Sequence, residues 1–320
     1  MNFITVWAVL CVAASSALGH NIGERRSLAG LISASDLIVF AQIEDATTIR
    51  HIKNLGPIYL TQIKVFQNIR GKAPSRYLIF SGQGETPARY EKGTGAIIFL
   101  NKTPKDSPFY NTSSYLGLQT NEEKILLSGV NDLAIINAVR KISVALGISD
   151  PPVRKSTLKN LFLDLLTHPE ERIRQDAVSD LTRLVYNSDG ASHHLLSRND
   201  LERLVRVASS GEIDLFTREE TVFLLGKMKE IESLLVLIKV EPESLRMIVI
   251  DMLGTCQDER AVEPLIDIAR QGEGTEVKTA IFALGKIGGQ RSQKFLKKLA
   301  RTERGEVRQW AQEAMAHKGK

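Results

Sequence analysis

The sequence predicts a two-domain α+β chain: an N-terminal small β-barrel or sandwich followed by a C-terminal α-solenoid of antiparallel helix pairs. Three observations carry this. Apolar-Gly pairs recur at a fixed spacing beyond residue 170, a second apolar ladder runs between them at the same period, and before residue 128 the apolar residues alternate with period two. The 320 residues suffice for two cores, and 43% hydrophobic with 25% charged residues is a globular composition. The expected divisions are 1–19, 20–128 and 129–320, the repeats being clearest over 170–320.

Residues Phe3–Gly19 carry no charge and end in small side chains, which reads as a secretory signal with cleavage before His20. The run is short for a membrane span. Its flanks are unusual, because Arg25-Arg26 follow it and no Lys or Arg precedes it. Ala8-Val9-Leu10-Cys11 lacks the order of a lipoprotein signal, so no lipid anchor is expected. The expected location is secreted or periplasmic. The mature chain would keep one cysteine, Cys256, and form no internal disulfide. Cys256 lies next to apolar helix positions and reads as a small buried hydrophobe.

Five strands are expected over 37–127. Leu37–Ile43 is β-branched, Tyr59–Phe66 and Arg76–Phe80 alternate, Ala96–Leu100 is continuously apolar like a strand buried on both faces, and Tyr115–Gln119 is short. Gly56-Pro57, Gly71–Pro74, Gly93–Gly95 and Thr103–Asp106 punctuate them. The order Asp36-Leu-Ile-Val, a strand ending in Arg70-Gly71, then Gly95–Leu100 resembles an OB-fold-like module of exported proteins, including the netrin-like domain. The cysteines of the eukaryotic members are absent, and the resemblance implies fold only. Sequons fall at Asn101 and Asn111.

Two ladders define the solenoid. Leu225-Gly226, Leu253-Gly254, Leu284-Gly285 and a degenerate Met315 are 28, 31 and 31 residues apart, and Leu181 lies 44 before Leu225. Leu204, Leu234, Leu265 and Phe295 step by 30, 31 and 30. The long first step is attributed to an insertion at 186–197. One helix pair cannot bury both of its apolar faces, whereas stacked pairs build a continuous core. Each repeat glycine is expected to end its helix with φ > 0. Helices near 131–147 and 153–167, separated by Pro151-Pro152, are expected to form the N-terminal cap.

Asp258–Ile266 and Glu276–Gly288 look like short HEAT repeats of the phycobilisome-lyase-like type. The resemblance covers 170–320 and implies a binding solenoid. It does not carry lyase chemistry, because fold does not fix function.

No catalytic residue, cofactor or metal site is expected. Gly82-Gln-Gly and Gly93-Thr-Gly do not open helices, and His193-His194 reads as a polar loop. A copper site at a processed His20, with His51 as second ligand, is an outside reading. The sequence offers two partner surfaces instead. Between Arg270 and Lys320, twelve Lys and Arg stand against five Glu, a balance of +7 in a chain of +5. Within that stretch Arg291, Lys294, Lys298 and Arg301 share one helix face, with Lys297 at its edge. Second helices of such solenoids line the concave side, so the stripe suits an acidic protein, an anionic polysaccharide or a lipid head group. Nucleic acid fits the charge but not export. The other surface is Val236 and Leu237, which the helical period points outward, to be covered by the 186–197 insertion or left as a binding patch. The expected function is an exported, non-catalytic binding or scaffold protein. The alternative is an enzyme or enzyme-assembly factor with its site in the β domain or at the domain junction.

Overall fold

The computed structural model describes residues 25–316 apart from 53–55, 82–87, 104, 106–114, 121–122, 128, 130–131, 188–189 and 192–194. The run Phe3–Gly19 that is expected to be a signal, His20, Asn111 and His193-His194 lie outside the described residues, as does the His51 side chain. Contacts divide the chain into two units, Met1–Ser149 and Asp150–Lys320.

In the first unit, β1 (Leu37–Ile52) pairs antiparallel with β2 (Gly56–Arg70), and β2 with β3 (Arg76–Ser81). β3 pairs parallel with β5 (Tyr115–Gly117), β5 antiparallel with β4 (Gly95–Lys102), and β4 returns to β1. The order 1-2-3-5-4-1 closes a five-stranded barrel of the OB-like kind that the sequence resembles. A short β6 (Ile125–Leu127) adds to β4. Register shifts along β1, after Ile38, Phe40, Ile43 and Thr48, bend it so that one strand serves two neighbours.

Alternation fills the barrel. Leu37, Val39, Ala41 and Ile43 of β1 meet Ile63, Ile79, Ala96, Ile98 and Leu100 inside. All of Ala96–Leu100 is fully buried, as a strand covered on both faces requires. The outer cover comes from α1 (Leu28–Ala34), which packs on β4, and α2 (Asp132–Leu146), which packs on α1 and β2. The division of the chain therefore places α2 with the barrel, and α3 (Pro151–Leu165) opens the second unit. Pro151-Pro152 occupy the first turn of α3, where a missing N–H costs little, and Asp150 caps it by accepting from the Val153 amide at 2.9 Å.

One buried ion pair ties the N-terminal segment to the barrel. Glu123 is 1% exposed. It accepts from the Arg26 amide at 2.8 Å, from Arg26 Nε and Nη2 at 2.9 Å each, and from the Thr120 amide at 2.9 Å. The Arg26 guanidinium also donates to the Leu118 carbonyl. Burial alone would raise the Glu123 carboxyl; the guanidinium and amide donors outweigh it and hold the group below its ordinary range.

The second unit is a run of helices. First helices of the pairs are α4 (Glu171–Val185), α6 (Leu215–Lys227), α8 (Glu243–Cys256), α10 (Gly274–Ile287) and α12 (Gly305–Ala316). Second helices are α5 (Arg198–Ser209), α7 (Ile231–Val236), α9 (Val262–Gln271, entered through a 3₁₀ turn) and α11 (Gln290–Thr302). Successive first helices pack against one another: α4 on α6, α6 on α8, α8 on α10, α10 on α12. Both ladders are core, with Leu181, Leu204, Leu225, Leu234, Leu253, Leu265 and Leu284 fully buried. The insertion lies between α4 and α5, where Tyr186-Asn187 pair with Gly190-Ala191.

The repeat glycines play a different role from the expected one. Gly226, Gly254 and Gly285 lie inside α6, α8 and α10. The left-handed residues come three positions later, at Lys229 (φ 57°), Gln257 (φ 55°) and Gly288 (φ 71°). What demands glycine is close approach. A Cβ on Gly254 would stand 2.6 Å from Ala283 Cα, one on Gly285 2.6 Å from the Ala314 carbonyl oxygen, and one on Gly226 2.6 Å from Met252 Sδ. Each glycine thus receives the residue that precedes the anchor of the next repeat.

A polar ladder runs alongside, seven residues before the anchors Leu181, Leu225 and Leu253. Arg174 pairs with Asp214 at 2.8 Å, Arg218 donates to the carbonyls of Ala208 (2.9 Å) and Glu241, and Arg246 pairs with Glu276. Every one of these arginines reaches forward into the following repeat.

Two outcomes follow. Arg26→Met leaves Glu123 buried with its charge uncompensated and lowers unfolding free energy at pH 7 by about 3–5 kcal/mol in urea titrations. The wild-type pair stabilises above the ordinary carboxylate pKa and loses that contribution as pH falls through the depressed folded value, so the gap between the two proteins narrows on acidification. Gly254→Ala is destabilising by about 1–3 kcal/mol through overpacking, although alanine favours an isolated helix by roughly 1 kcal/mol. A gain in melting temperature would remove the close-approach argument.

Candidate functional site

The helix with the greatest concentration of positive charge is α11. Its buried side is Ser292, Phe295, Leu296 and Leu299, at spacing i, i+3, i+4 and i+7. The opposite side carries Arg291, Lys294, Lys297, Lys298 and Arg301, all exposed, as the helical period requires. At its margin the Arg270 guanidinium of α9 lies 5.3 Å from the Phe295 ring.

These five residues do not form a uniform set. Arg291 is paired with Glu263 of the preceding repeat. Arg260 makes the equivalent pair with Glu232 at 2.5 Å, again from one repeat to the previous one. Both arginines lie 28 residues after their glutamates, so Arg291 is a rung of an inter-repeat ladder. Lys294, Lys297, Lys298 and Arg301 have no carboxylate within ion-pair distance among the described residues. Four cations on about two turns of helix, exposed and facing one way, form an electrostatic surface for anionic groups.

The apolar candidate divides. Val236 is 71% exposed, so no cover lies over it, while Leu237 is 1% exposed. The expectation that Leu237 points outward is corrected by the local backbone. α7 stops at Val236 and tightens, with the Leu237 amide bonding to the Leu234 carbonyl at 3.0 Å and Val240 to Leu237 at 2.9 Å. Such i→i+3 turns stack Leu237 over Leu234, on the core side. Val236 alone is an ordinary exposed apolar residue and makes no patch.

Other groups with chemical potential are occupied structurally. Cys256 is buried, its thiol 3.8 Å from the Gly226 carbonyl, and burial pushes its pKa up, which keeps it a thiol. Asp200 is buried in the start of α5. It accepts from Lys159 at 2.6 Å and from the Ser197 amide and hydroxyl at 2.9 Å each. Burial raises the Asp200 carboxyl, but these donors bring it below its ordinary range. Among the described residues, no group of three or more His, Cys, Asp or Glu is placed to hold a metal ion, and no helix is long and apolar enough to cross a membrane.

Comparison with known proteins agrees with the repeat geometry. The family described as HEAT repeats matches residues 231–316, the span of α7 to α12. With the barrel, this makes the chain a HEAT-repeat protein with an N-terminal β domain. No curated protein matches the chain. Among solved structures, human deoxyhypusine hydroxylase in complex with glycerol is similar over 56% of this chain and 84% of that one, at 18% identity and a TM-score of 0.33. A likeness at that level carries no argument about activity. HEAT repeats suggest a protein-interaction scaffold role.

Proposed function

We propose that this chain is an exported, non-catalytic scaffold whose HEAT-repeat unit holds an acidic protein partner on the outer face of α11. The observation that carries the reading is the set of four cations, Lys294, Lys297, Lys298 and Arg301, left without carboxylate partners while neighbouring charges are paired between repeats. An unneutralised face of one sign speeds encounter with a partner of the other sign and rejects like-charged ones. Export rests on the uncharged apolar run Phe3–Gly19 that ends in small residues.

Affinity capture from the native compartment, with the wild-type chain and with K294E/K297E/K298E/R301E, tests the surface. The quadruple variant is expected to keep its melting temperature and lose the retained protein, with affinity falling about 10- to 100-fold. Four exposed pairs at roughly 0.2–1 kcal/mol each sum to about 1–4 kcal/mol, a range that contains this fall. Identical retention by both chains, or retention of polysaccharide, lipid or nucleic acid instead of protein, overturns the assignment. Export is tested separately by mass spectrometry of the mature chain, which is expected to begin at His20; an intact Met1 refutes it.

A further inference from the structure

Two adjacent large apolar side chains stand in solvent at the start of α6. Leu215 is 40% exposed and Phe216 46%. The same first two positions of the other first helices are Glu171-Arg172, Glu243-Ser244, Gly274-Thr275 and Gly305-Glu306, polar or small in each case. The core of the repeat does not use the pair, because the buried side of α6 is built from Thr217, Arg218, Thr221, Val222, Leu224 and Leu225. The strip continues along the helix. Phe223 lies seven residues after Phe216, on the same face, and is half-buried. Across the seam stands α8, whose Met252 meets Gly226. Ile248, one turn before Met252 and also half-buried, borders the strip from that side.

The rim of this strip is acidic. Glu219 and Glu220 lie three and four residues after Phe216, within side-chain reach on the helix surface. Glu212 precedes the helix, and Glu243 opens α8. None of the four makes an ion pair among the described residues. Glu219 and Glu220 also lie beyond the first turn of α6, where the helix dipole no longer stabilises an acid. The arginines that first helices bring to this end are committed: Arg172 to Asp176 at 2.7 Å, Arg174 to Asp214 at 2.8 Å and Arg246 to Glu241 at 2.7 Å. The exposed cations closest in sequence to the four glutamates, Arg206 and Lys239, are outnumbered two to one. Exposed apolar side chains ringed by charge mark a docking surface, and the sign of the ring selects the partner.

We propose that this strip binds a basic amphipathic helix of a partner protein. Its apolar side chains lie on Leu215, Phe216, Phe223 and Ile248, and its Lys and Arg face the four glutamates. An acidic helix matches the strip and is rejected by the rim. An anionic membrane is repelled in the same way. A second copy of this chain does not fit, because its basic helix α11 has its apolar side buried and two chains of net charge +5 repel each other. The strip is separate from the α11 surface and does not depend on it.

Titration of the full chain with the peptide LKKLLKLLKKLLKL, which gathers its leucines on one helical face, tests the strip. Its controls are the same peptide with Glu for Lys and a scrambled order of the same composition. The Leu/Lys peptide is expected to saturate at one site, at least about tenfold more tightly than either control. Phe216→Ser is expected to weaken it about tenfold or more, the value of one buried aromatic contact, without lowering the melting temperature, since the ring is exposed. E219K/E220K is expected to weaken it about three- to tenfold and to flatten its salt dependence. Val236→Ser, which removes an exposed apolar residue elsewhere, is expected to change nothing. The proposal is overturned if the peptide does not saturate, if either control binds as tightly, or if Phe216→Ser leaves the affinity unchanged. It is also overturned if Phe216→Ser abolishes self-association of the chain in sedimentation or its retention on vesicles of anionic phospholipid, because the strip would then serve a second copy or a membrane.

Discussion

The helical unit depends on one close contact, repeated three times. At Gly226, Gly254 and Gly285 the first helix of one repeat meets the first helix of the next with no room for a side chain. The contact sets the spacing between successive repeats, and the rest of the unit is arranged around it. The anchor leucines beside those glycines are fully buried because the neighbouring helix is so near. The arginines seven residues before Leu225 and Leu253 reach Glu241 and Glu276 of the following repeat because the same approach brings those groups alongside. Each repeat can remain small because it completes its neighbour, as nearest-neighbour stacking requires.

The barrel meets the same demand by closure. A strand order of 1-2-3-5-4-1 leaves no open edge among the five barrel strands, and the irregular register of β1 supplies the bend. Among the described residues Cys256 is the one cysteine and it is free, so the described part of the first unit relies on packing and on buried polar pairs. Arg26 and Glu123 connect the segment before α1 to the turn before β6. Gln119 accepts from the Tyr90 hydroxyl at 2.7 Å and donates to the Glu123 carbonyl at 3.1 Å, so the pair belongs to a connected network. A network whose members are all bonded contributes order as well as energy.

Much of the fold was legible because apolar spacing reports burial directly. The Leu225–Leu253–Leu284 ladder placed the repeats, and the unbroken run Ala96–Leu100 announced a strand covered on both faces. The role of the glycines was not legible. Leu-Gly near a helix end fits both a cap and a close approach, and only the neighbour's position separates them. α1 was overlooked because it is seven residues long, although Ser27 ahead of Leu28, Leu31 and Ile32 has the form of a capped apolar turn. Leu237 was misplaced because its helix tightens after Val236, and helical periodicity assumes that it continues.

The charges on α11 show how a repeat separates structural from available groups. Glu232 and Glu263 lie 31 residues apart, as do Arg260 and Arg291, so the acid of one second helix meets the base of the next at each step. Arg291 is consumed by that rule. Asp267, on the same helix as Glu263, lies 3.9 Å from Arg270 one turn along. No carboxylate among the described residues then remains beside Lys294, Lys297, Lys298 or Arg301. An exposed pair within one chain contributes roughly 0–1 kcal/mol, so leaving four cations without partners costs the fold little. In the proposed binding role the same four charges, presented together, would act on a partner as one field. Stability does not require that arrangement, and the proposed role does.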